Sequence, residues 1–315
     1  MKLHIVGVDV SKKTFDASKS EREVTSLSND ESGFEAFVAW LPADAHVVME
    51  ATGTYYLKLA TYLFEKGMAV SVVNPVKVSY FAKMRLQRVK TDRTDAGVIR
   101  RYGEYDTTSL WQPGAQVFIE LNQLDSHLAG LQKDLNRVIG RLEALTQHVT
   151  IDTFTLNDLL AQQADLEARV NACEKELVDR TKKHFADLYA LLTSITGIGP
   201  KTAVMFIVLT HGFKRFPSAK MFAAYLGTTS FISTSGSSVK GSGAITKMGH
   251  PRMRQLLYMA ALTAKRRNIA CQVFADRLKV NGKPPKVIRI AVANKLIRQM
   301  FAVCEKQEEY SEAFA

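Results

Sequence analysis

His4-Ile5-Val6-Gly7-Val8-Asp9-Val10 is the stretch on which the fold turns. It is apolar and rich in β-branched residues, which reads as a strand buried on both faces. Asp9 stands inside it, and a carboxylate in such a strand is costly unless it is paired or binds a metal. Lys12 or Lys13 supplies the plain pairing. Working outward, residues 14–17 and 23–27 read as two further short strands joined by a polar turn. Residues 31–41 form a helix with Phe34, Phe37, Val38 and Trp40 facing inward, and Pro42 ends it. The next strand, 46–50, stops at Glu50-Ala51-Thr52-Gly53-Thr54, where Gly53 lets the chain turn into a helix over 55–66. Residues 68–73 make another apolar strand closed by Asn74-Pro75, and a helix over 76–84 follows. After the basic stretch 83–90, Thr91 caps a helix running to Tyr102. Asp92 and Asp95 are three apart and share one face of it. Two acids at a helix start also suit the helix dipole, so alone they are ordinary decoration.

The order is three strands, helix, strand, helix, strand, helix, helix. That order fits an RNase H-like mixed sheet, in which the first and fourth strands can lie side by side and the last helix packs across them. Asp9, Glu50, Asp92 and Asp95 would then converge. Like charges that close repel, and a divalent cation is the usual resolution. Hard oxygen ligands select magnesium or manganese, and a pair of such ions roughly 3.5–4 Å apart suits in-line attack at a phosphodiester.

Composition narrows the partner. Lys and Arg outnumber Asp and Glu 42 to 31, a net charge of +11, and the isoelectric point is near 9.5. A balance that basic points to a polyanion, nucleic acid before an anionic membrane surface, because no apolar run approaches the length of a membrane span. Cys173, Cys271 and Cys304 form no zinc or disulfide pattern. Met1-Lys2-Leu3 leads straight into a strand, so no signal peptide is expected and the chain reads as soluble and intracellular.

The middle carries Val117, Leu121, Leu124, Leu128, Leu131, Leu135, Val138, Leu142, Leu145 and Val149, in alternating steps of four and three. That is a coiled-coil seam. Residues 150–157 interrupt it, Thr155 or Asn157 caps a second helix, and Leu159, Leu166, Val170, Cys173 and Leu177 continue the stripe. The expected element is an antiparallel helical hairpin, either packed within one chain or joining protomers. Residues 191–203 read as a helix-hairpin-helix, with Gly197 and Gly199 in the turn, Pro200 in the first helical turn and Lys201 beside amides able to hold a DNA phosphate. Residues 228–243 are almost all small and hydroxylated. They form either a linker or a loop offering a serine nucleophile, and composition does not choose among Ser233, Ser235, Ser237, Ser238 and Ser242. From His250 the chain is helical and basic, with Arg252 and Arg254 leading it.

Gly7-Val8-Asp9-Val10-Ser11-Lys12, Glu50-Ala51-Thr52-Gly53-Thr54-Tyr55, Val73-Asn74-Pro75 and Lys90-Thr91-Asp92-Arg93-Thr94-Asp95-Ala96 resemble the DEDD transposases of the IS110 insertion-sequence family, relatives of the pilin-gene invertases. Ser235-Gly236-Ser237-Ser238-Val239-Lys240-Gly241, Lys247-Met248-Gly249-His250 and Arg252-Met253-Arg254-Gln255-Leu256-Leu257 resemble the C-terminal module of the same family. The resemblance implies a RuvC-like catalytic domain over 1–110, a coiled-coil hairpin over 111–190 and a mainly helical transposase domain over 191–315. It implies that Asp9, Glu50, Asp92 and Asp95 hold magnesium, or manganese, at the scissile phosphate. It makes Ser235 the nucleophile, with Ser237 left open because residues 230–234 depart from the family's usual proline and charges. Lys201, Lys240, Lys247, Arg252 and Arg254 are the expected nucleic-acid contacts. The implied partners are donor and target DNA, a structured guide RNA transcribed from the element's flank, and further copies of the chain as a dimer or tetramer, all in the cytoplasm at the nucleoid. The competing readings are a RuvC-like nuclease in which water attacks, a pilin-type invertase, and a non-enzymatic scaffold that binds nucleic acid.

Overall fold

The computed structural model describes residues 4–85, 92–231, 234–235, 239–240, 244–245 and 249–311. The chain divides into two compact units, residues 1–114 and 115–315. In the first, β1 (His4–Val10), β2 (Thr14–Ser18), β3 (Val24–Ser28), β4 (Ala45–Glu50) and β5 (Ala69–Val73) form one sheet in the order β3-β2-β1-β4-β5. β2 runs antiparallel to β1 and β3, whereas β4 runs parallel to β1 and β5. The first and fourth strands are therefore neighbours, as the element order predicts.

Alternation along the strands sends residues to two faces. On one face Val6, Val8, Val10, Phe15, Val47 and Met49 pack with α1 (Glu31–Trp40) and α2 (Tyr56–Glu65) through Phe34, Phe37, Leu59 and Leu63. The rings of Phe15 and Phe37 meet edge to face with centroids 5.1 Å apart. Val48 and Val73 point the other way, onto α3 (Pro75–Met84) and α4 (Asp92–Tyr105), where Val78, Phe81, Val98, Ile99 and Tyr102 bury them. Both faces are covered, which is why β1 and β4 read as nearly continuous apolar runs. Asp30 accepts from the Gly33 amide to cap α1, and Asn74 accepts from Val76 to cap α3. The cap expected of Thr91 lies outside the described residues.

The second unit opens with the hairpin of α5 (Gln116–Leu145) and α6 (Thr153–Ser194). Phe118, Leu121, Leu128, Leu131, Val170, Cys173 and Leu177 form its buried seam. Two expectations need correction. Asp152, not Thr155 or Asn157, caps α6, its carboxylate accepting from the Thr155 amide at 2.8 Å. The seam also stops short of Val149, which lies beyond the end of α5 and is fully exposed. α6 leaves helical geometry at Phe185, whose ring stacks on Phe118 at 5.2 Å. Past this kink the helix joins a different core, with Leu188, Leu191 and Leu192 packed among the C-terminal helices. Position 190, the expected domain boundary, lies inside α6.

α7 (Pro200–Thr210) is buried from Thr202 through Thr210 and forms the centre of this bundle, because a helix apolar all round must be covered all round. α8 (Ala219–Leu226), α9 (Pro251–Arg267), α10 (Ile269–Val280) and α11 (Pro285–Lys306) complete it. Between α8 and α9 two short antiparallel ladders stand, β6 (Ser230–Phe231) with β9 (Ala244–Ile245) and β7 (Thr234–Ser235) with β8 (Val239–Lys240). No helix among the described residues is long and apolar enough to cross a membrane.

Candidate active site

α4 reaches the sheet because β1 has a glycine where they cross. A Cβ on Gly7 would lie 2.2 Å from the Ala96 carbonyl oxygen and 2.2 Å from the Arg100 amide nitrogen. Further along α4, Gly103 sits against Ile5 and Val48. The helix therefore runs antiparallel to β1, and its first turn extends toward the strand's C-terminal end. Asp9 lies at that end, two residues beyond Gly7 and on the same face. On β4 the register pairs Val8 with Met49, so the next step sets Asp9 beside Glu50, and Glu50 shares its face with Val48. Two acids on adjacent parallel strands and the acidic first turn of α4 are thus delivered to one end of the sheet. Asp9, Glu50 and Asp95 are half-buried; the Asp92 backbone opens α4, and its side chain lies outside the description. Among the described side chains no three are placed to hold a metal ion together. The donor set nonetheless fits one: all are hard carboxylate oxygens, and Thr52 Oγ1 donates to Glu50 Oε1 at 2.9 Å, fixing that carboxylate's rotamer.

Two neighbours escaped the reading of the sequence. Asp16 is the cross-strand partner of Asp9, and directly opposed residues point to the same face. Asp16, Asp9 and Glu50 therefore form a row across β2, β1 and β4. The alternation of β2, with Phe15 and Ala17 facing the other way, was the signal. Asn29 is the second. Its Nδ2 donates to the Ser11 carbonyl at 2.9 Å and to the Tyr55 carbonyl at 3.2 Å. One amide thus ties the turn after Asp9 to the loop after Glu50. In a polar loop nothing marked it.

The serine stretch lies in the second unit. Ser235 ends β7 opposite Val239, and Ser237, Lys247 and the side chains of Ser235 and Lys240 lie outside the described residues. The base of the stretch is fastened. A Cβ on Gly249 would fall 2.1 Å from the Tyr225 carbonyl oxygen, so the chain just before α9 touches the end of α8, and Arg254 donates to the Leu226 carbonyl at 2.7 Å. Arg252 pairs with Asp125 of α5 and donates to its carbonyl at 3.1 Å. Burial pushes the Asp125 carboxyl up, against the pull of Arg252 and His250. His250 caps α9 through Nδ1, and burial holds its pKa down. Lys201 reaches Glu174 at 2.6 Å while staying mostly exposed. Gly199 is the N-cap of α7 and Gly197 turns the chain before it at φ +107°. Arg252 and Arg254, expected on nucleic acid, are thus engaged within the protein.

A transposase family model of the DEDD IS110 type matches residues 6–151, and the model of the IS116/IS110/IS902 transposase family matches residues 189–274. The pilin gene-inverting protein of Moraxella bovis is 31% identical over 317 residues, covering 97% of each chain. The chain belongs to the IS110 transposase family. The same protein of Moraxella lacunata is 30% identical over 97% of each chain, and a putative transposase of Sinorhizobium fredii is 28% identical over 55% of this chain and 47% of that one. This IS110 transposase is accordingly a DNA recombinase, and its mixed sheet is consistent with the RuvC-like domain of DEDD enzymes.

Proposed function

We propose that this IS110 transposase cuts and rejoins DNA through a serine nucleophile supported by a magnesium-binding acid site. The observation that carries the proposal is the crossing of α4 over Gly7, which brings its acidic first turn to the end of the sheet where Asp9 and Glu50 stand in adjacent register. Asp9, Glu50, Asp92 and Asp95 would hold the ion, and bound magnesium, or manganese, would supply charge stabilisation at the scissile phosphate. Ser235 Oγ attacks phosphorus. Its O–P bond forms as the bond to the leaving strand oxygen breaks, the serine proton passes to solvent, and the leaving oxygen is protonated. The phosphoserine link keeps the energy of the broken bond for rejoining. The resemblance to the family supports a structured RNA as the partner that selects the DNA ends, and sequencing of copurifying nucleic acid tests it.

Trapping on DNA should give a protein–DNA adduct with magnesium and none with chelator, with the adduct mapping to Ser235. Ser235→Ala should abolish adduct and strand exchange. Continued nicking by that variant would instead mean a hydrolase. An adduct at Ser237 moves the nucleophile and keeps the mechanism, and one on tyrosine overturns it. The end-to-end match to pilin gene-inverting proteins favours a second reading, inversion of a segment in place of movement to a new site. A plasmid carrying a segment between inverted sites separates them, because an invertase flips it without a free element.

A further inference from the structure

Residues 188–304 contain eighteen Lys and Arg but one acid, Asp276, whereas the rest of the chain has 24 basic and 30 acidic residues. The positive charge of the protein is therefore concentrated in α7 to α11 and the serine stretch, whose own sequence supplies a single carboxylate against it. Some of these cations are engaged: Lys201 with Glu174, Arg252 with Asp125, Arg254 with a carbonyl, and Arg215 over the rings of Phe216 and Tyr225. Lys220 and Arg298 are exposed, and neither has an ion-pair partner among the described residues. They come from different helices, α8 and α11, and line one cleft of about 330 Å³ together with Ala219, Ala223, Thr229 and Asn294.

We propose that this cleft binds a backbone phosphate of the DNA strand that the serine stretch attacks. The proposal rests on the reading that this stretch meets DNA. The cleft lies where the chain leaves α8 to form that stretch, and its position there is fixed. Thr228 Oγ1 donates to Asn294 Oδ1 at 2.7 Å, and Asn294 Nδ2 donates back to the Thr228 carbonyl at 3.1 Å. A reciprocal pair of this kind, with Thr228 almost fully buried, holds the root of the stretch against α11. A phosphate between Lys220 and Arg298 would thus be registered to the serine ladders by two hydrogen bonds and two residues of chain. The walls suit an anion. Ala219 and Ala223 are small enough to admit a phosphate, Asn294 Nδ2 retains a second hydrogen to donate, and Lys220 lies in the positive first turn of α8. Bringing two cations together without a counter-charge costs repulsion, which a phosphodiester relieves and a neutral ligand does not.

The test uses the full chain. Lys220→Ala and Arg298→Ala, single and combined, are compared with Lys220→Arg plus Arg298→Lys and with a control pair, Lys283→Ala plus Lys286→Ala. Binding of labelled duplex DNA is followed against salt. Each cleft substitution should flatten the slope of log K against log salt by about one, with the melting temperature unchanged, and the charge-preserving pair should restore it. An unchanged slope in the combined variant overturns the proposal. So does an equal loss in the control pair, or failure of the charge-preserving pair to rescue. A loss confined to labelled RNA overturns the assignment to DNA. If the slope flattens but no serine adduct ever forms, the phosphate site stands and the reading of the nucleophile falls.

Discussion

Gly7 is where one missing side chain decides the geometry of the candidate site. Any Cβ there must displace the backbone of α4, and backbone cannot yield as a flexible side chain does. Gly7→Ala should destabilise the first unit by about 2 kcal/mol or more, seen as a lower urea midpoint, and should cost activity beyond the stability loss by lifting the Asp95 turn from Asp9. Asn29 acts through two loops. Asn29→Ala removes two donors and leaves the Ser11 and Tyr55 carbonyls without them, a loss of about 1–3 kcal/mol. It should raise the magnesium concentration needed for half-maximal activity while DNA affinity holds. His46 makes a pH prediction. Ser71 spends its one hydroxyl proton on the Ser109 carbonyl, so it accepts from His46 Nε2–H, and burial lowers the pKa of the imidazole. Below the ordinary histidine value of about 6.5 the unfolded chain takes up a proton that the folded chain resists. Stability should therefore be full above that pH and fall as the pH drops toward the depressed folded value. His46→Gln should flatten part of this fall in denaturation midpoints measured at several pH values, with His211 and His250, lowered in the same direction, supplying the remainder. Asp9 was legible at this scale because a carboxylate in an apolar strand is conspicuous. Asn29 was not, because a polar loop residue shows its role only through the two carbonyls it meets in space.

Elements were more legible than the joints between them. The elements described in the first unit follow from period and punctuation: apolar β-branched runs, Pro42 and Asn74-Pro75 as stops, and a helical stripe after each turn. Heptad spacing likewise located the hairpin, because it reports which face of a helix is apolar. It does not report how far along the helix that face has a partner. Burial fades from Leu128 and Leu131 to the half-covered Leu142 and Leu145, and Val149, Ile151, Phe154 and Leu160 are exposed around the tip. The kink at Phe185 was invisible for a related reason. Periodicity runs through it, and the contact found at the kink, the stacking of Phe185 on Phe118, comes from another helix. Arg252 similarly read as a phosphate ligand in a basic run, and its pairing with Asp125, far away in sequence, was not visible there. Breaking that largely buried pair with Arg252→Ala should cost about 3 kcal/mol, more than an exposed arginine would, and Asp125→Asn should cost no less, because it strands the Arg252 guanidinium, which cannot shed its charge as a carboxyl can. Leu128→Lys with Leu135→Lys should spare the first unit and weaken self-association in sedimentation, if the arm joins protomers.

At the scale of the whole molecule the acids and the serine belong to separate bodies. Among the described residues, the clusters that bury β1 to β5 share no member with those that bury α5 to α11, so each unit has a core of its own. Charge divides along the chain as well, since the strongly basic stretch lies wholly in the second unit. A substitution that disables the chemistry of one unit should therefore leave the other folded and competent, which makes a mixing experiment decisive. Asp9→Asn removes a ligand charge in the first unit and Ser235→Ala removes the proposed nucleophile in the second. Each variant alone should bind DNA with the wild-type salt dependence, because neither alters a cation, and each should fail to exchange strands. Mixed and allowed to reassemble, the pair should regain adduct formation with the adduct on the Asp9→Asn chain, whose serine is intact, using the acids of the Ser235→Ala chain. That result requires an active site completed between protomers. A mixture as inactive as its components, when wild-type chains of the same preparation assemble and react, places the acids and serine of each reaction in a single chain.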